Sequence, residues 1–115
     1  MTQENETLRH MQSQVDEYIQ QFKTGYFSPL SQMARLTEEV GELAREINHH
    51  YGEKAKKDGE QPKTVQEELG DVLFVTLIMA NSLNIDLTEA FNTNMEKFNK
   101  RDAYRFERKD GKTHD

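Results

Sequence analysis

Residues 64–83 read Thr64-Val65-Gln66-Glu67-Glu68-Leu69-Gly70-Asp71-Val72-Leu73-Phe74-Val75-Thr76-Leu77-Ile78-Met79-Ala80-Asn81-Ser82-Leu83. The first four residues form a capping box, in which a threonine hydroxyl and a glutamate three residues on satisfy free amides at a helix start. The body from Val72 to Ala80 is apolar on every side, so a helix here must be covered on all faces. A buried strand has the same composition, but the run continues through Asn81-Ser82-Leu83, beyond usual strand length. A chain of 115 residues hardly surrounds such a helix. Burial against a second subunit is therefore expected.

Helical periodicity extends in both directions from this segment. Asp86-Leu87-Thr88-Glu89 opens a fourth helix, with Leu87, Ala90, Phe91, Asn94, Met95 and Phe98 on its inner side. Upstream, Leu8, Met11, Val15, Tyr18, Ile19 and Phe22 recur at spacings of three and four, which predicts an amphipathic helix over 6–23. Gly25 is placed to cap its end and Pro29 to begin the next helix. That second helix is expected from Leu30 to about Tyr51, with Met33, Ala34, Val40, Leu43, Ala44 and Ile47 inward and Gly52 ending it. Glu53 to Lys63 is charged, contains Gly59 and Pro62, and reads as an exposed loop. No strand or hairpin signal appears. The pattern predicts an all-α four-helix bundle over 1–101, followed by a charged tail over 102–115 that frays.

Bulk composition excludes several classes. Hydrophobic residues make up 34% and charged residues 31%, the profile of one soluble domain with one core. No apolar run approaches the roughly 18 residues needed to cross a bilayer, and the first residues lack the basic and apolar regions of a signal peptide. Without cysteine there is no disulfide framework and no thiolate ligand or nucleophile. The expected location is cytoplasmic, with no membrane partner. A net charge of −6 argues against binding a nucleic-acid polymer. It leaves room for a small anionic substrate where a bound metal inverts the local field.

Two tetrads carry the chemistry. Glu39-Val40-Gly41-Glu42 and Glu68-Leu69-Gly70-Asp71 both run Glu, apolar, Gly, acid. Residues three apart share a helix face, so each tetrad projects two carboxylates from one patch, where like charges repel. Glycine inside a helix costs about 1 kcal/mol relative to alanine. Local energetics thus gives no reason for the repeat, whereas a hard divalent cation held between two helices does. Glu39, Glu42 and Glu46 follow an i, i+3, i+7 stripe. The bland alternative is a set of surface acids paired with Arg35 and Arg45, and Glu67 and Glu68 also suit a helix N-terminus. Asp71 lies past the capping turn beside the apolar body, and a buried carboxylate there needs a cation or a proton. Four carboxylates without a thiolate indicate Mg²⁺ or Mn²⁺ rather than Zn²⁺.

Glu46-Ile47-Asn48-His49 is a Glu-x-x-His step of the kind used in di-iron bundles; such sites need two steps and two further glutamates, and this chain has one step, so a homodimer would have to supply the second. Lys97, Lys100 and Arg101 form a late basic group, with Lys97 and Arg101 sharing a face four residues apart. They suit a helix C-terminus in any case. Beside a metal, the pair would also meet phosphate.

The pattern Glu38-Glu39-Val40-Gly41-Glu42, 25 residues, then Glu68-Leu69-Gly70-Asp71 resembles that of the MazG-like nucleotide pyrophosphohydrolases. The likeness continues through Asn94-Met95-Glu96-Lys97-Phe98 and Arg101, covering about residues 30–101. The resemblance implies cleavage of a nucleoside triphosphate between the α and β phosphates, giving monophosphate and pyrophosphate. It implies Glu39, Glu42, Glu68 and Asp71 as Mg²⁺ ligands, Glu38 as the acid orienting water, and Lys97 and Arg101 as phosphate contacts. It also implies a homo-oligomer, dimer or tetramer. For the base, His49, Tyr18 and Phe22 are the candidates, with Phe22 better suited to the core. A role in removing non-canonical or excess nucleotides follows by analogy. A phosphoribosyl-ATP pyrophosphohydrolase and a non-catalytic helical interaction module are the rival readings.

Overall fold

In the computed structural model, residues 6–52 and 64–114 are described, and they form four helices and no strand. The loop expected over 53–63 lies outside the described residues. α1 spans Leu8–Gln20, α2 Pro29–Tyr51, α3 Val65–Ser82 and α4 Leu87–Arg101. Each start is capped by a side-chain oxygen, from Thr7, Ser28, Thr64 and Asp86 in turn. The Thr64 hydroxyl accepts from the Glu67 amide at 2.9 Å, which is half of the expected capping box. Gly25 sits at φ +63°, the left-handed conformation in the link after α1 that glycine adopts without strain.

α2 and α3 pack most extensively, and α1 lies across α3. The pairing runs antiparallel: Arg35 covers the Phe74 ring at 5.9 Å, and Glu42 approaches Glu68 seven residues further along α2. Val15, Leu77 and Ile78 form the core, with Met11, Ile19, Tyr26, Phe74 and Leu87 packed around it. No single helix among the described residues is long and apolar enough to cross a membrane.

α4 behaves differently from the other three. It packs on α1 and leaves α3 at 105°, and none of its residues is buried. The expected inner stripe of Phe91, Met95 and Phe98 is exposed within the chain. The turn before α4 explains its direction. Ile85 N donates to Ala80 O at 2.8 Å and Asn84 N to Asn81 O at 3.1 Å, with Asn84 at φ +56°, which is a Schellman closure using asparagine. Gln12 then holds the turn from α1. Its amide donates to Ile85 O at 2.8 Å and Asn81 Oδ1 at 2.9 Å, while its oxygen accepts from Leu87 N at 2.9 Å. Tyr26 completes the network by donating to Asp16 at 2.7 Å and accepting from Asn81 at 3.1 Å. Burial first, then that bond to Asp16, pushes the Tyr26 hydroxyl's pKa up.

Candidate metal centre

The antiparallel register of α2 and α3 brings the two tetrads together. Glu39 and Glu42 lie one turn apart on α2, Glu68 faces them from α3, and each offers an oxygen within 4.8 Å of the others. Oxygens bound to one cation at about 2.0–2.6 Å must lie within about 5 Å of each other, so the three satisfy that condition together.

Burial is distributed unevenly. Glu68 is 1% exposed, Glu39 is half-buried and Glu42 is exposed. Asp71, expected beside the apolar body as a buried acid, is exposed in the chain. The reason is rotational: positions 68, 75 and 78 turn toward the helices that cover α3, whereas 69, 70, 71 and 73 do not. Asp71 still acts on the site. Burial raises the Glu39 pKa first, and Asp71 is the largest charged contributor, followed by Glu42, with Arg35 opposing them. Glu39 Oε2 is buried and has no hydrogen-bond partner.

A hard cation fits this donor set. The ligands are carboxylate oxygens, one of those atoms is buried and unbonded, and the local field already resists further negative charge. Glu39, Glu42 and Glu68 would hold it, with Asp71 alongside.

The other expected residues are distributed over α1, α2 and α4. Glu38 is exposed on the adjacent face of α2. Tyr18, half exposed, packs edge-on against Phe74 at 5.9 Å and Phe22 at 5.3 Å. Through Phe74 it adjoins the Arg35 end of the seam. His49, with Nδ1 buried, lies beyond Glu42 on α2, at the opposite end. Lys97 and Arg101 are not brought to the acids: both cover the Phe98 ring, at 4.9 and 5.3 Å, and Arg101 also pairs with Asp102 at 3.1 Å. Glu46 was marked by its place in the acidic stripe and by the Glu-x-x-His step with His49. It is 5% exposed, with His50 Nε2 3.7 Å away.

The model of the MazG nucleotide pyrophosphohydrolase domain matches residues 27–106. The chain belongs to the MazG family. Its α2 and α3 acids, and the helices that present them, lie within the matched MazG segment. YpjD of Bacillus subtilis (strain 168) is 59% identical over 106 residues, covering 92% of this chain and 96% of YpjD. YvdC of the same organism is 31% identical over 81 residues, covering 65% of this chain and 76% of YvdC. The crystal structure of Bacillus subtilis YpjD superposes with a TM-score of 0.76 at 59% identity, covering 87% of this chain and all of that one. A Bacillus-conserved MazG protein, described as a nucleotide pyrophosphohydrolase, superposes with a TM-score of 0.74 at 61% identity, covering 85% and 95% of the two chains. This MazG chain is accordingly a nucleotide pyrophosphohydrolase, a hydrolase of all-α fold.

Proposed function

We propose that the protein hydrolyses nucleoside triphosphates between the α and β phosphates, in a Mg²⁺-dependent reaction that releases monophosphate and pyrophosphate. The observation that carries this reading is Glu39: a partly buried carboxylate with an unbonded oxygen, its pKa raised by burial and by three neighbouring acids. Such a group calls for a cation, and a polyphosphate is the substrate that shares one.

Glu39, Glu42, Glu68 and Asp71 hold the metal in this scheme. Bound Mg²⁺ supplies neutralisation of phosphate charge and a lowered pKa for water. Glu38 orients the attacking water and accepts its proton. The water oxygen bonds to the α-phosphorus as the bond to the α–β bridging oxygen breaks, and pyrophosphate leaves with that oxygen. Lys97 and Arg101 meet the phosphates. Of the two rings that flank the seam, Tyr18 is favoured for the base, since its ring is half exposed while His49 Nδ1 is buried. The functional unit is a homo-oligomer, which would cover the open faces of α3 and α4.

A panel of ribo-, deoxy- and modified nucleoside triphosphates, incubated with Mg²⁺ or EDTA, tests the reading by product chromatography. Monophosphate and pyrophosphate, lost in Glu42→Gln, are the expected products. Diphosphate and inorganic phosphate would refute the bond assignment. Turnover of phosphoribosyl-ATP alone would transfer the site to that substrate.

A further inference from the structure

Positions 32, 35, 39, 42 and 46 fall on one face of α2, and that face meets α3. Ser82 Oγ donates to Gln32 Oε1 at 3.0 Å, Arg35 lies over the Phe74 ring at 5.9 Å, and Glu39 and Glu42 meet Glu68. Gln32 and Glu46, at the two ends of this stripe, are buried. Arg35 and Glu42 between them are exposed, and Glu39 is half-buried. The seam is therefore open to solvent from Arg35 to Glu42, about 10.5 Å of helix at 1.5 Å per residue.

Packing does not call for a charge at Arg35. An unbranched apolar stem would cover Phe74 as well, and a cation one turn from Glu39 opposes the entry of a metal ion. Of the charged groups acting on Glu39, Asp71, Glu42 and Glu68 are acids and Arg35 is the cation. An anion lying between Arg35 and the metal centre removes the conflict, because both cations then hold it.

The order of groups along the open stretch says which anion. Tyr18, the ring favoured for the base, meets Phe74 edge-on at 5.9 Å. Arg35 covers the same ring, and Glu39 follows one turn later on α2. A nucleotide laid along these groups runs base, sugar, α-phosphate, with the α-phosphorus at the metal. A guanidinium over an aromatic face keeps its N–H donors at its edge, where the planar fork matches two phosphate oxygens.

We propose that Arg35 binds the α-phosphate and so holds the monophosphate half of the substrate. The inference rests on the nucleotide-site reading and deepens it, since the pyrophosphate half makes no use of Arg35.

Two variants test this. Arg35→Met keeps a stem over Phe74 without the charge, and Arg35→Lys keeps the charge without the fork. Inhibition by the monophosphate product and by inorganic pyrophosphate separates the two halves of the substrate. In Arg35→Met, KM and the monophosphate inhibition constant should rise together by about tenfold or more, with kcat little changed. Arg35→Lys should recover part of that loss, and pyrophosphate inhibition should keep its parent value in both. A role only in the field of the seam would move both inhibitors alike, and a role only as cover for Phe74 would move neither. Either result overturns the proposal.

A Mg²⁺-induced rise in melting temperature equal to the parent's shows that a variant is folded with its centre intact. Arg35→Lys carries the comparison if Arg35→Met is unfolded. If the parent hydrolyses no nucleotide, the reaction assignment fails, and calorimetry with nucleoside monophosphates and with pyrophosphate decides Arg35 separately. Monophosphate binding that the variant weakens sustains the phosphate contact. No binding to the parent, or equal binding to parent and variant, overturns it.

Discussion

Asp71 acts on Glu39 across the α2/α3 seam although the two differ in exposure: Glu39 is half-buried, and the exposed Asp71 is the strongest charged influence on it. Both burial and the Asp71 charge raise the Glu39 pKa. The seam therefore holds negative charge at a cost that a cation would relieve.

That cost predicts a metal effect on stability. Mg²⁺ or Mn²⁺ should raise the melting temperature of the parent, with about 2.7 kcal/mol of stabilisation at a hundredfold excess over Kd. Glu39→Gln should lose most of this increment while melting no lower than the parent without metal. Differential scanning fluorimetry with and without EDTA measures both. An unchanged metal increment in the variant would remove Glu39 from the ligand set.

Tyr18 and His49 flank the seam from opposite ends, which separates their effects. Tyr18→Ala should raise KM for the preferred nucleotide roughly tenfold, the loss of one base–aromatic contact of about 1–3 kcal/mol. His49→Ala should change KM far less. Steady-state kinetics on both variants decides, and the reverse ranking would move the base to the His49 end.

Asn84 holds a left-handed conformation that asparagine tolerates and most residues do not. Asn84→Ala should destabilise the protein by about 1 kcal/mol, and Asn84→Gly should leave it unchanged or slightly more stable. Urea denaturation followed by circular dichroism tests the ranking. Equal losses in both variants would show that the asparagine side chain, and not its backbone, matters.

Asp86 caps α4 by accepting from Thr88 N at 2.9 Å and pairs with Arg9 at 2.9 Å. The bond from Arg9 is the main cause that holds the Asp86 pKa below the ordinary aspartate range. A carboxyl lowered in the folded state stabilises above its unfolded pKa, and that contribution is lost as pH falls through the lowered value. Stability should therefore decline as pH falls below about 4, and Asp86→Asn should make this part of the decline shallower. Melting curves between pH 2 and 7 provide the comparison, and identical slopes in the two proteins would refute it.

Helix starts were readable because capping is local: Thr64 and Asp86 meet amides two or three residues away whatever the rest of the chain does. The acidic pair on each helix was readable for the same reason, since residues three apart share a face on any helix. Which acid is buried was not readable. Asp71 borders the apolar body and Glu68 lies in the capping turns, yet the rotation of α3 against α2 turns Glu68 inward and leaves Asp71 exposed. Glu46 is comparable, a stripe position whose burial depends on what lies against α2.

The sequence by itself determined four helices, their capped starts and two carboxylate faces, because these depend on periodicity and neighbours along the chain. Tertiary structure decided that Glu39, Glu42 and Glu68 converge within 4.8 Å and that α4 turns away from α3 at 105°. The convergence depends on the register between two helices. The departure of α4 depends on one left-handed asparagine and on Gln12, which reaches the turn from a helix more than sixty residues earlier.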